Sequence, residues 1–359
     1  MDILRPTLIC IDGQIYRKNP VEMSTHRPEE DEEDFYIPDN DADAYMDEGC
    51  DMLPIEETKR GFRLAIDIPS AFFSYIIGRK GQTKDRIERE TRTQIHIPKI
   101  GKEGDIVITG NERKGIISAK TRIDVLVDSA RQRQPFTHFV SVPLCTDEIK
   151  NGFEEFRLDV LRQCHGLQGI EESLFQNPLK LHLTFGTLVL LNSKEVAKAG
   201  AMLKEFEEEM IRPLLKDEPL LLDVEGIEYM NDDPSEVDVL YAQIRPQDGS
   251  DKLQVIADNL VEKFVSSGLM QKEYEKVKLH CTVMNTLFRK DPAAGGVHGS
   301  KSHGQRDMKE RESFDARKIL STFEDFKFGV HHFQSLHISQ RYSTGTDGYY
   351  ACSAQIKLP

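Results

Sequence analysis

The strongest constraint on this chain is an internal repeat. LKLHLTFGTL, beginning at Leu179, and VKLHCTVMNTL, beginning at Val277, share K-L-H-x-T, then an apolar residue, then T-L a little further on. Side chains two apart on a strand emerge on one face. A strand here therefore presents His182 with Thr184 and turns Leu183 and Phe185 to a core, and His280 and Thr282 emerge likewise with Cys281 and Val283 buried. Each pair follows a strand–helix unit. Strand Phe139–Val142 and a helix striped by Ile149, Phe153, Phe156, Val160 and Cys164 precede the first; strand Val237–Ile244 and a helix with Leu253, Ile256, Leu260 and Phe264 inward precede the second. A chain built this way folds as two similar lobes that bring both His-Thr pairs into one groove.

Two histidines and two hydroxyls suit phosphodiester cleavage. One imidazole takes a proton from the attacking oxygen and the other gives one to the leaving oxygen, work suited to a group that titrates near neutrality. The hydroxyls of Thr184 and Thr282 hydrogen-bond the non-bridging oxygens and hold the phosphorus between the rings. Lys180 and Lys278, which open each motif, are read as pointing away and stay outside the active set. His337–Ser339 also fits H-x-[ST] but lacks the shared context, so His337 is read as a strand residue. His298, His303, His331 and His332 are read as exposed or loop histidines, and no spacing suggests a zinc site, a metal or a cofactor.

The paired H-x-T strands resemble the two-histidine (2H) phosphoesterases, which include RNA 2',3'-cyclic phosphodiesterases and RNA-trimming exonucleases. The resemblance runs from about Pro135 to Pro359. It implies a bilobal α+β fold and metal-independent catalysis by His182, Thr184, His280 and Thr282. The remaining periodicities place strand Lys180–Phe185, a helix through Val196, Ala199, Leu203, Phe206 and Met210, and strand Val277–Val283. An exposed loop follows at 291–312, then a helix over Asp315–Phe323 and closing strands Val330–Ser339 and Tyr349–Lys357.

Upstream, the pattern from Gly61 gives an extended run to Ile68, helical stretches to Ile77 and Glu90, strands Thr93–Ile97 and Asp105–Thr109, and a helix with Ile116, Ala119, Ile123, Val127 and Ala130 on one face. The order is βααββα. Ile77-Gly78-Arg79-Lys80-Gly81 joins the first two helices, and glycines there let a sugar-phosphate backbone come close while Arg79 and Lys80 supply charge. Motif and order together resemble the type I KH domain, with Ile77, Gly78, Arg79, Lys80 and Gly81 as its contact to single-stranded RNA. Lys84 departs from that pattern, standing where an aliphatic residue usually lines the base groove.

Charge then divides the chain. The net charge is −14, yet residues 28–57 hold fourteen Asp or Glu and no Lys or Arg, so the rest carries 47 acids against 47 bases. Residues 60–134 have sixteen bases against nine acids. A basic module thus follows an acidic segment too polar to offset the entropy of ordering. The expected organisation is a partner-docking arm at 1–27, an acidic disordered linker at 28–59, the KH domain at 60–134 and the 2H domain at 135–359. Six scattered cysteines without C-x-x-C argue against a disulfide framework, and no apolar run reaches membrane-spanning length. This order, with FTHF, GIEYMNDDP and VMNTLFRKDP, is similar to a family of nuclear coactivator-complex subunits. That resemblance implies a helicase partner and sister subunits, roles in transcription coactivation and alkylation-damage repair, and a nuclear location.

Overall fold

The computed structural model describes strands β1 (Thr7–Ile11) and β2 (Gln14–Lys18), then residues 53–290 and 312–358 apart from 100, 101, 103, 165, 217, 231 and 273. The two apolar runs of the arm pair antiparallel, Ile11 beside Gln14. The rest of the arm, most of the acidic segment and the loop at 291–311 lie outside the described residues.

The basic module is built from β3 (Glu56–Thr58), β4 (Gly61–Ile66), α1 (Phe73–Ile77), α2 (Gln82–Thr91), β5 (Thr93–His96), β6 (Ile106–Gly110) and α3 (Arg113–Gln132). Its antiparallel sheet runs β3-β4-β6-β5. Alternation on the strands sends Leu64, Ile95 and Ile108 inward, where they meet Phe72, Ile76, Ile87, Ile116 and Ile123 from the helical side. Strand β3 lies in the stretch read from its charge as linker. Backbone pairing with β4 and the Thr58 hydroxyl donating to the Gly61 carbonyl at 2.9 Å hold it in place.

The second unit contains β7 (His138–Pro143), α4 (Asp147–Gln163), β8 (His182–Leu188), α5 (Ser193–Phe206), α6 (Arg212–Leu215), β9 (Leu221–Tyr229) and β10 (Val239–Pro246). It continues with α7 (Lys252–Ser266), β11 (His280–Asn285), α8 (Leu287–Lys290), α9 (Arg317–Phe323), β12 (Lys327–His332), β13 (Ser335–Gln340) and β14 (Cys352–Lys357). Side-chain caps start the helices that follow β7 and β8: Thr146 accepts from Ile149 N–H at α4 and Asn192 from Glu195 N–H at α5. All eight strands form one antiparallel sheet, β12-β9-β10-β11-β8-β7-β13-β14, whose halves are the two lobes. Strands β8 and β11 meet at a single pair, Cys281 opposite Leu183, and Leu188 of β8 pairs further along with Met270. The Leu183 and Cys281 side chains sit in the core with Phe153 and Leu260 from the helices, so the motif side chains face the other way.

Two strand expectations change. Strand β9 is absent from the sequence reading because Gly226, at φ +70°, breaks the alternation that Leu222 and Val224 begin. The run Val330–Ser339 is not one strand: β12 pairs with β9 in one lobe, β13 with β7 and β14 in the other. The chain crosses between lobes at Phe333, which is wholly buried. His331 is consequently buried at 2% exposure rather than in a loop.

The two domains touch through Arg131, near the end of α3. Its guanidinium donates to the Val189 carbonyl and to Glu195 of α5, both at 2.5 Å, and lies 5.0 Å from the Phe72 ring of the KH core.

Candidate functional site

The Leu183–Cys281 pair acts as the axis of the site. In an antiparallel register, one step to either side sets His280 alongside Thr184 and Thr282 alongside His182. The four predicted side chains are thereby brought together, half-buried on one face, each histidine beside the threonine of the other lobe. The alternation expected from the sequence holds along both strands, with Leu183, Phe185, Cys281 and Val283 buried.

Both histidines are held the same way. Nδ1 of His182 lies 2.7 Å from the Lys180 carbonyl, and Nδ1 of His280 lies 2.7 Å from the Lys278 carbonyl. A carbonyl only accepts, so in each neutral ring Nδ1 carries the proton and donates it, leaving Nε2 as the free lone pair. Burial pushes the pKa of His182 down to about 4, with the nearby His280 adding to the shift against the carbonyl's pull upward. Burial also lowers His280, helped by the Lys278 ammonium. Burial thus favours the neutral form of both rings at pH 7.

The lysines are not turned away, as the sequence reading supposed. Neither lies on an ideal strand: Lys180 ends the 3-10 turn Pro178–Lys180, and both lysines precede the strands that begin at His182 and His280. The Lys180 ammonium lies 4.7 Å from the Tyr350 ring centroid, and the Tyr350 ring meets His182 edge-on at 5.4 Å. The Lys278 ammonium lies 4.5 Å from the Tyr241 ring, which meets His280 edge-on at 5.2 Å. Phe139 also touches His182, at 5.2 Å. Lys180 is only 2% exposed and donates to the Ser343 carbonyl at 3.2 Å and the Thr344 hydroxyl at 3.1 Å. His337 lies on a strand as read, near the Tyr349 ring, two strands from His182 and outside the four-residue set.

On the KH module, Gly78 has φ +68° and Gly81 φ +87°, values that L side chains adopt only with strain. A Cβ at Gly78 would stand 2.1 Å from Thr83 Oγ1, so this turn has room for hydrogen alone. Arg79 and Lys80 project from it exposed, while Ile77 is half-buried against the core. Lys84, the departure from the KH pattern, is held by Glu88 at 3.0 Å, whose other oxygen accepts from the Ile95 N–H at 2.6 Å. Its charge is thus neutralised within the module. Among the described residues, no group of three His, Cys, Asp or Glu side chains is placed to hold a metal.

Comparison with known proteins agrees with this architecture. Residues 136–358 match the family model described as the AKAP7 2'5' RNA ligase-like domain, and residues 63–124 match that of the KH domain. Activating signal cointegrator 1 complex subunit 1 of Mus musculus is 48% identical over 357 residues, covering 99% of each chain. The chain belongs to this family. An uncharacterised protein of Schizosaccharomyces pombe is 28% identical over 159 residues, 44% of this chain and 70% of that one. The crystal structure of TT0787 of Thermus thermophilus aligns over 62% of this chain and 97% of its own at 14% identity, with a TM-score of 0.37 that is too low to bear on the fold. The fold is accordingly α+β, a KH domain followed by a bilobal 2H phosphoesterase-like domain.

Proposed function

We propose that the groove hydrolyses an RNA phosphodiester, a terminal cyclic phosphate or an internal bond, by two-histidine acid–base catalysis without a metal. The observation that carries this reading is the pairing of two H-x-T motifs across Leu183 and Cys281 with both Nε2 atoms left free. A phosphate entering between two neutral imidazoles stabilises the protonated form of one, because an anion raises a neighbouring histidine's pKa. One imidazole, neutral with Nε2 free, takes the proton of the attacking oxygen, and the other carries the proton delivered to the leaving oxygen. Thr184 and Thr282 donate to the non-bridging oxygens as charge builds there.

The KH turn of Gly78, Arg79, Lys80 and Gly81 would hold a single strand, and that tether raises the strand's effective concentration at the groove. The named relative is a subunit of the activating signal cointegrator 1 complex. Family membership supports the same assembly for this chain, with a helicase subunit and sister subunits as partners, in the nucleus, serving transcription coactivation and alkylation-damage repair. The arm is the proposed helicase contact: deleting residues 1–20 abolishes co-purification, and unchanged recovery refutes that placement.

A second reading has one observation in its favour. With both histidines held neutral by burial, neither is a ready acid, as in an adaptor that only holds an RNA end. Turnover decides between them. Short RNAs with free 3' ends or 2',3'-cyclic phosphates are incubated in excess EDTA with wild-type and His182→Ala/His280→Ala protein. Turnover lost in the variant supports the hydrolase; RNA bound but never cut by the assembled complex supports the adaptor.

A further inference from the structure

The two lobes differ at the position across from each motif histidine. On β7 the residue opposite His182 is Pro143, which has no polar side chain; on β10 the residue opposite His280 is Gln243, half-buried on the groove face. Glu228 of β9 decides how that amide is turned. A carboxylate only accepts, so Gln243 gives it the amino group, as Tyr241 gives it the phenolic hydroxyl. The Gln243 carbonyl oxygen is left facing the other way, where it accepts from the Arg245 guanidinium.

Arg245 is exposed, and so is Lys278, whose ammonium rests 4.5 Å from the Tyr241 ring. Both cations are held in place by neutral groups, an amide oxygen and an aromatic face, and among the described residues neither is in an ion pair. Asp223, opposite Arg245 on β9, receives the Gln247 amide instead. Lys263 and Lys272 of the same domain, by contrast, are neutralised, the first by Glu205 and Glu209 and the second by Glu262. Positive charge that is oriented but not spent, beside a groove that takes a phosphodiester, suits a further anion. Lys278 is near enough to His280 to help lower its pKa, which puts it within reach of the groove. Arg245 stands two residues along β10 from Gln243, about 6.7 Å further on, a step of the order of one more nucleotide.

We propose that Arg245 and Lys278 bind a second phosphate, that of the nucleotide next to the reacting one. The proposal rests on the reading of the groove as a phosphodiester site and deepens it: the substrate is a strand end with a charged linkage behind the reacting phosphate, and a lone nucleotide fills only part of the site.

The test uses the full chain carrying Arg79→Gln/Lys80→Gln, so that the KH turn contributes no phosphate contact. A uridine dinucleotide is compared with the same dinucleotide whose bridging phosphate is replaced by a methylphosphonate, similar in shape and without charge. Binding is titrated with 3'-phosphate ends and turnover is followed with 2',3'-cyclic phosphate ends, for this parent protein, Arg245→Gln, Lys278→Gln and the two combined. The charged linkage is expected to bind the parent about tenfold tighter and to lower KM similarly with kcat unchanged. Its log K should also fall more steeply with log salt, by about 0.7. Each substitution reduces the preference, and in the combined variant the two linkages bind alike. Equal affinity for the two linkages in the parent, or a preference that survives both substitutions, overturns the second phosphate site. Charge-dependent binding without turnover in any protein refutes the hydrolase and leaves the site standing; turnover indifferent to the linkage charge does the reverse.

Discussion

Tyr350 stands to His182 as Tyr241 stands to His280: each ring meets its histidine edge-on, at 5.4 and 5.2 Å, with a motif lysine over its face. The two tyrosines arrive by different routes. Tyr241 lies on β10 opposite Thr282, whereas the matching position on β7, opposite Thr184, is Ser141. The small Ser141 leaves space, and the segment before β14 fills it; Tyr349 donates its hydroxyl to Ser141 at 2.9 Å and Tyr350 reaches the histidine. The lobes thus repeat their motif strands while obtaining the same aromatic support from unrelated parts of the chain.

Lys180 ties that borrowed segment down, so the two lysines differ in weight. Lys180→Ala removes a buried donor to the Ser343 carbonyl and the cation over Tyr350, and is expected to cost about 2–3 kcal/mol. It also frees Tyr350 from His182 and lowers kcat. Lys278 is exposed, and Lys278→Ala should stay within about 1 kcal/mol. Urea melts of both variants beside turnover assays check the difference, and equal losses would count against it.

Most of this was legible where the information is local. The H-x-T strands, the striped helices and the G-x-x-G turn each announce themselves within ten or twenty residues. What was not legible depends on long-range pairing. Nothing in FGVHHFQSLHIS tells that Phe333 marks a passage between lobes, and nothing near Tyr350 tells that it completes a site opened at His182. The lysines escape strand alternation altogether: Lys180 ends a 3-10 turn ahead of β8 and Lys278 precedes β11, so their direction depends on the turn and on the tyrosines that pack against them.

The histidines themselves should separate catalysis from binding. His182→Ala or His280→Ala removes one partner in proton transfer and is expected to lower kcat by about 10²–10⁴. Affinity for longer single strands should change little, since Arg79 and Lys80 lie in the other domain. Filter binding alongside single-turnover cleavage reads both quantities on one preparation.

The KH turn gives the converse. Arg79→Gln/Lys80→Gln removes two exposed cations without altering the turn, so affinity falls and the dependence of log K on log salt flattens by about 1.4 if each meets one phosphate. Gly78→Ala acts through folding instead. At φ +68° with Thr83 Oγ1 2.1 Å from the new Cβ, it should destabilise the KH domain by about 2 kcal/mol or more. Gly81→Ala, with 3.9 Å of clearance, bears the backbone strain alone, about 1 kcal/mol. Thermal melts ranking Gly78→Ala below Gly81→Ala check the order.

Acid should unfold the 2H domain through histidines that fold neutral. Burial lowers both His182 and His331 to about 4, while the unfolded chain binds their protons near 6.5. Between those values the unfolded state holds more protons, so stability falls as pH drops from 6.5 toward 4 and is unaffected by these groups above it. His331→Leu deletes one such group, whose Nδ1 is buried without a partner, and should flatten the decline. Denaturant midpoints at pH 7.5 and 5 measure it; parallel declines in both proteins would refute the assignment.

The domain junction offers a last test, because Arg131 and Glu195 are both nearly buried, at 10% and 12% side-chain exposure. Removing one partner of a buried ion pair strands the other's charge, a loss of about 3–5 kcal/mol when nothing else compensates. Glu195 keeps a hydrogen bond from the Leu191 N–H at 2.8 Å, so Arg131→Met should fall at or below the lower end of that range. The guanidinium serves two acceptors at once, the Val189 carbonyl and Glu195, from a planar fork that an ammonium cannot copy. Arg131→Lys is therefore expected to behave like Arg131→Met rather than like wild type. Neutralising the stranded carboxylate in Arg131→Met/Glu195→Gln should recover part of the loss. Calorimetry distinguishes a junction from an ordinary surface pair: the single variants separate KH melting from 2H melting into two transitions, and the double variant draws them back together.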